Sequence, residues 1–476
     1  MISAVCRFFS SAHMVKPADI RGPLPHTKEA YQNLLRIAIP SVIEMVFMSL
    51  IGSVDIVMVG QLGYDAIAAV GIAVQPCNIV LAVFYAMNVG VTAIVARRKG
   101  QDLPAEANRT LRNALFIIVG LTAVVMTATL AFSRQIMLIA GAQADTVDRA
   151  NEYFRIMTFF LPANTITLCV NAAQRGVGNT RTPMVAGIAA NIVNVVFDYL
   201  FIYGNGGFPK LGVAGDAWAS GIGICVGMCI SLYGLFGRKS SGSYLRISFR
   251  DDWRPHRETI RSIFKIGGNS VFEQAAQRVG LFVYAVVVAN LGTAVFAAHQ
   301  VGIQFLNFSF NFGNGLAVAG TSLVGQMLGK ERPDLAVIYG KCSQRLALLV
   351  GLGLAACIVL FRYPLVGIFL SRGDPANALP FQIAVNIMLM VALFQPPQTS
   401  AVVVSGCLRG AGDNLYVAVV MAICVAVIRP ALSAMAVYAF GLGVMGAWSA
   451  SLIDMSVRLT LMYRRFSGDK WHDKKV

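Results

Sequence analysis

Residues 66–95 read AIAAVGIAVQPCNIVLAVFYAMNVGVTAIV and contain no charged side chain. This run is longer than the roughly 20 apolar residues that a helix needs to cross a lipid bilayer. The whole chain has the same character, because 56% of its 476 residues are hydrophobic and only 13% are charged, against about 25% in ordinary soluble domains. These values exclude a soluble enzyme, a disordered protein and a disulfide scaffold, and they predict a polytopic membrane protein.

Twelve apolar runs of this kind follow one another along the chain. They predict an all-α membrane protein with twelve transmembrane helices. Glycine and proline interrupt several runs, which membrane helices tolerate better than soluble helices do. We number the runs as spans 1–12: residues 34–59, 66–95, 110–132, 151–173, 183–203, 213–236, 262–289, 295–325, 343–361, 380–405, 415–438 and 443–463.

The 39 lysine and arginine residues give a net charge of +16, and they cluster between the spans. If the N-terminus is inside, 30 of them fall in inside segments and only five in outside segments. This is a strong positive-inside bias. We therefore expect both termini in the cytoplasm, a location in the cytoplasmic (inner) membrane, and no nucleic-acid partner.

The spans divide the chain into lobes and connecting segments. We expect the N-terminal arm to be loose up to residue 30, and its apolar stretch is too short for a secretory signal; Met14 is a second candidate start. The nine cysteines form no CxxC pair and read as small apolar side chains. The expected regions are a cytoplasmic arm (1–33), an N-lobe with spans 1–6 (34–236), a cytoplasmic linker (237–261), a C-lobe with spans 7–12 (262–465) and a cytoplasmic tail (466–476).

The two predicted lobes repeat each other in sequence. With a shift of 229 residues, 36–101 lies over 265–330 without a gap, and 17 of 66 positions are identical, Glu44/Glu273 among them. Further matches are Pro162/Pro396, Thr165/Thr399 and Arg175/Arg409 at a shift of 234, and GVAGDAW at 212–218 against GVMGAW at 443–448. Because each half has an even number of spans, the repeat is parallel. Two such lobes are typical of transporters that work by alternating access.

Ionisable residues inside a bilayer are costly, so each acid within a span is a candidate functional residue. Asp55 and Asp198 each lie roughly 7 Å below the outer end of their spans, at a rise of about 1.5 Å per residue. Asn191, Asn194 and Asp198 share one helix face. Carboxylate and amide oxygens suit a coupling ion, Na⁺ or H⁺. We favour this interpretation over a carboxylate that only hydrogen-bonds between helices.

Three further acids within spans allow more than one interpretation. Glu273 lies five residues before Arg278 on a different helix face, and we favour a role in ion coupling or substrate binding over a buried ion pair. Glu44 holds the equivalent place in the first lobe, and both interpretations stay open there. Asp454 and Arg458 have the i, i+4 spacing of a neutralising pair.

The sequence has no metal-spacing motif, nucleophile elbow, P-loop or ATP-binding segment. We therefore expect no enzymatic activity and no cofactor, and an ion gradient or a partner as the energy source. Some of the 19 methionine and 28 phenylalanine residues could line an adaptable cavity for apolar cations.

Several motifs resemble the MATE family of multidrug and toxic compound extrusion transporters. The resemblance covers roughly residues 30–465. It implies an antiporter that exports drugs or metabolites, driven by Na⁺ or H⁺, with a V-shaped cavity between two lobes. The motifs are SVDIVMVGQLG at 53–63, RGVGNTRTP at 175–183, AAHQ at 297–300, VGQMLG at 324–329 and LRGAGD at 408–413.

The resemblance also implies roles for single residues. Asp55 matches the family's acid in span 1, and Asn194 and Asp198 match the polar pair in span 5 of the branch whose ion site lies in the N-lobe. Ser220 falls where that branch carries a hydroxyl in span 6. Glu273 matches the span 7 acid of the bacterial sodium-coupled branch.

Two positions depart from the family pattern. The sodium-coupled branch carries an aspartate in span 10 where this chain has Gln398, so a C-lobe site would lose a charge, and the N-lobe site is favoured. Arg97 stands where the second lobe has Gln326 and the family usually has glutamine. Neither Arg97 nor Arg429, which precedes a proline in span 11, has an assigned role.

The sequence therefore predicts a MATE-type secondary active efflux transporter for small amphipathic or cationic molecules, acting as a monomer in the lipid bilayer. The nearest alternative is a flippase for lipid-linked precursors with the same two-lobe plan. Such a flippase would need a more cationic cavity to bind the lipid head group. A membrane-embedded transferase is more remote, because the adjacent acids Asp251 and Asp252 lie in a basic loop without a second acidic cluster. The substrate and the choice between Na⁺ and H⁺ stay open.

Overall fold

The computed structural model describes residues 8–62, 64–143, 146–236, 244–248, 251–370, 378–472 and 474. Parts of the expected arm (1–7), linker (237–243 and 249–250) and tail (473, 475 and 476) lie outside the described residues. Within the described ranges every regular element is a helix and no β-strand occurs. This confirms the all-α fold class.

Twelve long helical elements of the described chain, α1–α12, coincide with the twelve predicted spans. Several begin or end a few residues beyond the predicted boundaries, because charged residues at the span ends continue the helix. Their bounds are α1 Thr27–Gly60, α2 Tyr64–Gly100, α3 Pro104–Ala131, α4 Val147–Phe159 with Leu161–Gly176, α5 Arg181–Tyr203, α6 Val213–Phe236, α7 Arg257–Ala289, α8 Thr293–Gly329, α9 Pro333–Gly367, α10 Ala378–Gly410, α11 Asn414–Ala439 and α12 Gly443–Ser467.

Nine of these helices are long and apolar enough to cross a membrane, and α4, whose two parts meet at 48°, makes ten among the described residues. The other two, α8 and α12, have 37 and 25 residues. They are long enough to cross but less apolar, since α8 carries several asparagines and α12 carries Asp454 and Arg458. Large apolar side chains such as Val124, Phe282 and Leu360 are well exposed, as expected for faces that meet lipid.

The chain divides into two compact units. One unit is Ile43–Gly268, which holds most of the predicted N-lobe, and the other is Asn269–Val476 together with Met1–Val42, which holds most of the predicted C-lobe. Both divisions fall inside helices, one in α1 and one in α7. Each of these two helices therefore contributes residues to both units.

Each lobe has its own apolar core. In the N-lobe, Tyr153 and Phe154 of α4 are buried with Ile202 of α5. In the C-lobe, the Trp448 ring of α12 lies edge-on against Phe394 of α10, with 5.8 Å between the ring centroids. The packing of these apolar side chains holds the helices of each lobe together.

The internal repeat is visible in equivalent hydrogen bonds. In the N-lobe, the Thr92 hydroxyl donates to the carbonyl oxygen of Ala172 at 3.0 Å. In the C-lobe, the Thr321 hydroxyl donates to the carbonyl oxygen of Gly406 at 2.8 Å. The threonines are related by the shift of 229 residues and their acceptors by the shift of 234. The two lobes thus share local structure at positions that the sequence repeat relates.

The described part of the N-terminal arm, residues 8–26, is not loose, so that expectation was wrong. The Met14 side chain is only 1% exposed, and its sulfur lies 3.7 Å from that of Cys342 in α9. The Lys341 ammonium donates to the Met14 carbonyl oxygen at 2.6 Å. The arm is ordered because its apolar side chains and its backbone polar groups both find partners on the C-lobe.

Candidate ion-coupling site

Small residues of α6 bring this helix very close to α5 in the N-lobe. A Cβ atom on Gly223 would lie 2.5 Å from the carbonyl oxygen of Ala190, and one on Gly215 would lie 2.8 Å from that of Phe201. Larger side chains would therefore push the two helices apart. Small residues at such spacings allow close backbone approach in membrane helices, and this approach positions the polar side chains between α5 and α6.

Four polar side chains meet across the α5–α6 contact. The Asn194 amide donates to the Ser220 hydroxyl at 3.2 Å. One turn along each helix, the carboxyl groups of Asp198 and Asp216 lie near each other. Asp198 is fully buried and Asp216 is 3% exposed, so both carboxyl groups are removed from water.

Asp55 adds a third carboxyl group from α1. The Tyr203 hydroxyl of α5 donates to the carbonyl oxygen of Met58 at 3.0 Å, which fastens α5 to α1 three residues beyond Asp55. Asp55 lies near enough to Asp198 and Asp216 for its negative charge to repel theirs. Within the described chain, the buried Oδ1 of Asp55 and both carboxylate oxygens of Asp198 have no hydrogen-bond partner. We call Asp55, Asp198 and Asp216 the carboxyl cluster.

No lysine, arginine or histidine of the described ranges forms an ion pair with the carboxyl cluster. Negative charge in a low-dielectric interior is costly unless it is compensated. The cluster is therefore suited to take up positive charge, either protons or a cation held by oxygen atoms. The same residues include no group of three or more His, Cys, Asp or Glu that could hold a metal ion. A Na⁺ ion would therefore rely on the oxygens of Asn194 and Ser220 beside the carboxylates.

The sequence analysis missed two members of this neighbourhood. One is Asp216, which lies in the first turn of α6. The other is Tyr153 of α4, which is 5% exposed and lies near all three carboxyl groups. The repeat contained a signal for Asp216, because GVAGDAW at 212–218 has an acid that GVMGAW at 443–448 lacks.

Asn191 lies on the same face of α5 as Asn194, as predicted, but it makes a different contact. Its amide donates to the carbonyl oxygen of Gly187 in its own helix at 2.7 Å. The structure therefore shows Asn191 hydrogen-bonded within α5 and not to the carboxyl cluster.

The two candidate glutamates each pair with an arginine. Glu44 of α1 contacts Arg175 at the end of α4, with 2.5 Å between Oε1 and Nη2. Glu273 of α7 pairs in the same way with Arg409 at the end of α10. Both glutamates are at most 3% exposed, and the two pairs are equivalent under the repeat. The partner of Glu273 is thus Arg409, and Arg278 is exposed.

Gln398, which stands where the sodium-coupled branch carries an aspartate, joins two helices of the C-lobe. Its side chain is 5% exposed, and its amide donates to the carbonyl oxygen of Leu306 in α8 at 3.4 Å. This contact connects α10 to α8 within the C-lobe core.

Asp454 pairs with Arg429 of α11, so the expected i, i+4 pair with Arg458 was wrong. The Nε and Nη2 atoms of Arg429 donate to Asp454 Oδ2 at 2.9 and 2.7 Å. Two donors of one guanidinium on the neighbouring helix reach the carboxylate together. Arg458 instead donates to the sulfur atoms of Met421 and Met455, at 3.2 and 2.9 Å.

The C-lobe has no counterpart of Asp55. The shift of 229 residues places Tyr284 at this position, and the Arg429 guanidinium lies 5.9 Å from the centroid of its ring. A cationic side chain thus lies near the place where the N-lobe has a carboxylate.

Two repeated helical lobes, one of which holds uncompensated buried carboxyl groups, define the class of secondary membrane transporters. The MatE family model matches residues 40–200 and 270–435, more than half of the chain. The chain belongs to the MatE family, the transporters that its motifs resemble, and it is a multi-pass membrane protein.

Curated relatives match over most of their length. A probable multidrug resistance protein NorM of Thermotoga maritima is 28% identical over 456 residues, which cover 95% of this chain and 96% of the relative. The multidrug resistance protein MdtK of Edwardsiella ictaluri is 26% identical over 388 residues, which cover 80% and 82%.

Solved structures share the fold. The outward-facing conformation of a multidrug resistance MATE family transporter matches with a TM-score of 0.85 at 22% identity, covering 92% of this chain and 96% of that one. A MOP superfamily transporter from Pyrococcus furiosus also matches with a TM-score of 0.85 at 22% identity. Both show that this chain shares the fold of these transporters.

Proposed function

We propose that this protein is a secondary active efflux transporter that exports small amphipathic or cationic molecules in exchange for Na⁺ or H⁺. It acts as a monomer in the inner membrane with both termini in the cytoplasm, and it has no enzymatic activity. The observation that carries the proposal is the buried carboxyl of Asp198, which lies beside Asp55 and Asp216 without a cation among the described residues. The names of the NorM and MdtK relatives support drug export.

The proposed mechanism couples ion binding to helix packing in the N-lobe. With the site empty, the charges of Asp55, Asp198 and Asp216 repel one another in a low-dielectric environment. An entering ion neutralises part of this charge, so α1, α5 and α6 can pack more closely. Because these helices carry the site, its occupancy favours one conformation of the lobe over another. Asn194 and Ser220 position the α5 and α6 carboxyl groups next to each other.

The decisive experiment is dye transport by the purified full-length protein in liposomes, with one gradient imposed at a time. We expect a cationic dye to move against its gradient when a pH or a Na⁺ gradient is imposed, and not when both are absent. An Asp198→Asn variant that reconstitutes normally should lose this gradient-driven transport. Dye transport at full rate by Asp198→Asn would contradict the proposal, and so would transport that is independent of both gradients.

A further inference from the structure

A group of positively charged side chains lies where the N-terminal arm meets α9 in the C-lobe. Lys16 of the arm and Arg345 of α9 both lie near enough to Lys341 for their positive charges to repel the charge of its ammonium group. Tyr31 of α1 lies beside Arg345. We call Lys16, Lys341, Arg345 and Tyr31 the Arg345 cluster.

The arm itself assembles this cluster. The Phe8 ring lies over the guanidinium of Arg345, with 4.3 Å between the ring centroid and Cζ. The Met14 carbonyl oxygen accepts from Lys341, and Lys16 follows two residues later in the chain. The arm thus adds a third cation and an aromatic cover to two cations of α9.

The cluster has no counter-charge among the described residues. None of its three cations forms an ion pair within these ranges, and Asp334, the acid in the first turn of α9, pairs with Arg332 at 2.8 Å. Arg345 is only 9% exposed, yet its Nη1 finds no acceptor in the described chain. The Tyr31 hydroxyl lies beside both Arg345 and Cys342.

A buried guanidinium nitrogen without an acceptor is costly. An aromatic ring over its face provides attraction but accepts no hydrogen bond from its edge. A bound anion would supply the missing acceptors. Guanidinium, ammonium and hydroxyl donors are the groups that bind phosphate oxygens in proteins.

We propose that Lys16, Lys341, Arg345 and Tyr31 form an anion site that takes a phosphate group, as a lipid headgroup or as free phosphate. The lipid source fits the proposed orientation, because anionic lipids attract basic segments at the cytoplasmic surface of a membrane. The site is separate from the carboxyl cluster, which lies in the other lobe.

Binding to the purified full-length protein tests this site without any transport assay. Native mass spectrometry compares phosphatidylglycerol with phosphatidylcholine, which carries the same phosphate but no net charge. The unfolding midpoint is measured with inorganic phosphate and with chloride at equal ionic strength. The variants are Lys16→Gln, Lys341→Gln and Arg345→Gln. Lys330→Gln is the control, since Lys330 is an exposed cation of the same lobe outside the cluster.

We expect phosphatidylglycerol to bind more tightly than phosphatidylcholine, and each of the three substitutions to weaken its binding about fivefold, as for the loss of one lysine or arginine near an anionic surface. Stabilisation by inorganic phosphate as well would show that the phosphate group alone is enough, and its absence would identify the lipid as the ligand. Lys16 is exposed, so Lys16→Gln keeps the test valid should Arg345→Gln fail to fold.

Two results would overturn the proposal. One is wild-type protein that prefers neither phosphatidylglycerol to phosphatidylcholine nor phosphate to chloride. The other is a loss of binding in Lys330→Gln as large as in Lys16→Gln and Arg345→Gln, because this would show attraction to overall charge instead of a site.

Discussion

In the N-lobe, Asp55, Asp198 and Asp216 lie together without a cation among the described residues, whereas in the C-lobe Glu273 and Asp454 each contact an arginine. Both lobes descend from the same repeated sequence and share an equivalent glutamate–arginine pair. A site that exchanges ions needs charge that the protein has not already neutralised. The difference between the lobes therefore favours the N-lobe as the place of ion exchange. The glutamate–arginine pairs that both lobes share are better explained as contacts that stabilise each lobe.

The largest effect is expected from Asp198→Asn, which keeps the shape of the side chain and removes its charge. Gradient-driven dye transport in liposomes should fall to background, while the unfolding midpoint stays the same or rises, because a buried uncompensated charge is removed. Glu152→Gln is the matched control, since Glu152 is an exposed acid of α4 next to Tyr153. Equal loss of transport in both variants would contradict a specific role for the carboxyl cluster.

The next largest effect is expected from breaking the shared ion pairs. Glu44→Gln and Glu273→Gln each leave an arginine without its partner, which costs about 3–5 kcal/mol for a buried pair. The arginine side chains are 20% and 23% exposed, so we expect the lower end of this range. Equilibrium unfolding in mixed detergent should show similar losses for both variants.

The same two variants also test the comparison between the lobes. Transport per folded molecule should be retained in both. If Glu273→Gln abolished gradient-driven transport at unchanged stability while Glu44→Gln did not, Glu273 would itself exchange ions, and the comparison would have to be reversed.

A smaller effect is expected from Gly223→Ala. The added Cβ would meet the carbonyl oxygen of Ala190, which separates α5 from α6 and costs about 1–3 kcal/mol, as for an overpacked core. The ion concentration for half-maximal transport should rise, because the groups of α5 and α6 move apart. Gly120→Ala in α3 serves as control, since nothing lies within 4 Å of its added Cβ. An unchanged ion dependence in Gly223→Ala would show that the site does not require this close approach.

The smallest effect is expected from the equivalent hydrogen bonds of the two lobes. Thr92→Val and Thr321→Val each remove one bond between helices, worth about 0.6 kcal/mol in a membrane protein. The two losses of unfolding free energy should be of similar size, because the bonds occupy equivalent positions. The loss in Thr321→Val should be the smaller of the two, because that hydroxyl also lies 2.8 Å from the carbonyl oxygen of Ala317 in its own helix. A loss in one lobe several times that in the other would show that the copies have diverged in packing as well as in charge.

Hydropathy and the internal repeat of the sequence predicted much of the fold, because both patterns depend only on the residues within each helix. The helices coincide with the predicted spans, and Glu44 and Glu273 occupy equivalent environments as the repeat indicates. Which charged side chains pair with each other across helices could not be predicted in this way. Asp454 contacts Arg429 on a neighbouring helix and not Arg458 on its own, and this depends on how α11 and α12 pack.

The site was predicted in part for the same reason. Asn194 and Ser220, two residues that the family resemblance singles out, are hydrogen-bonded to each other. Asp216 was missed because it lies at the very start of a span. The ordered arm was also missed. Its apolar residues that pack on the C-lobe core, such as the buried Met14 and the partly buried Leu24, are too few and too scattered to produce a periodic signal.

The π-helical segments of α11, Ala422–Ile428 and Met435–Ala439, bear on the history of the duplication. The corresponding helix of the first copy, α5, has 23 residues, and α11 has 26. A π turn accommodates one residue more than an α turn over a similar length. Single-codon insertions after the duplication could therefore be absorbed inside the helix without lengthening a loop. A relative whose α11 is one codon shorter is expected to lack one of the two π segments.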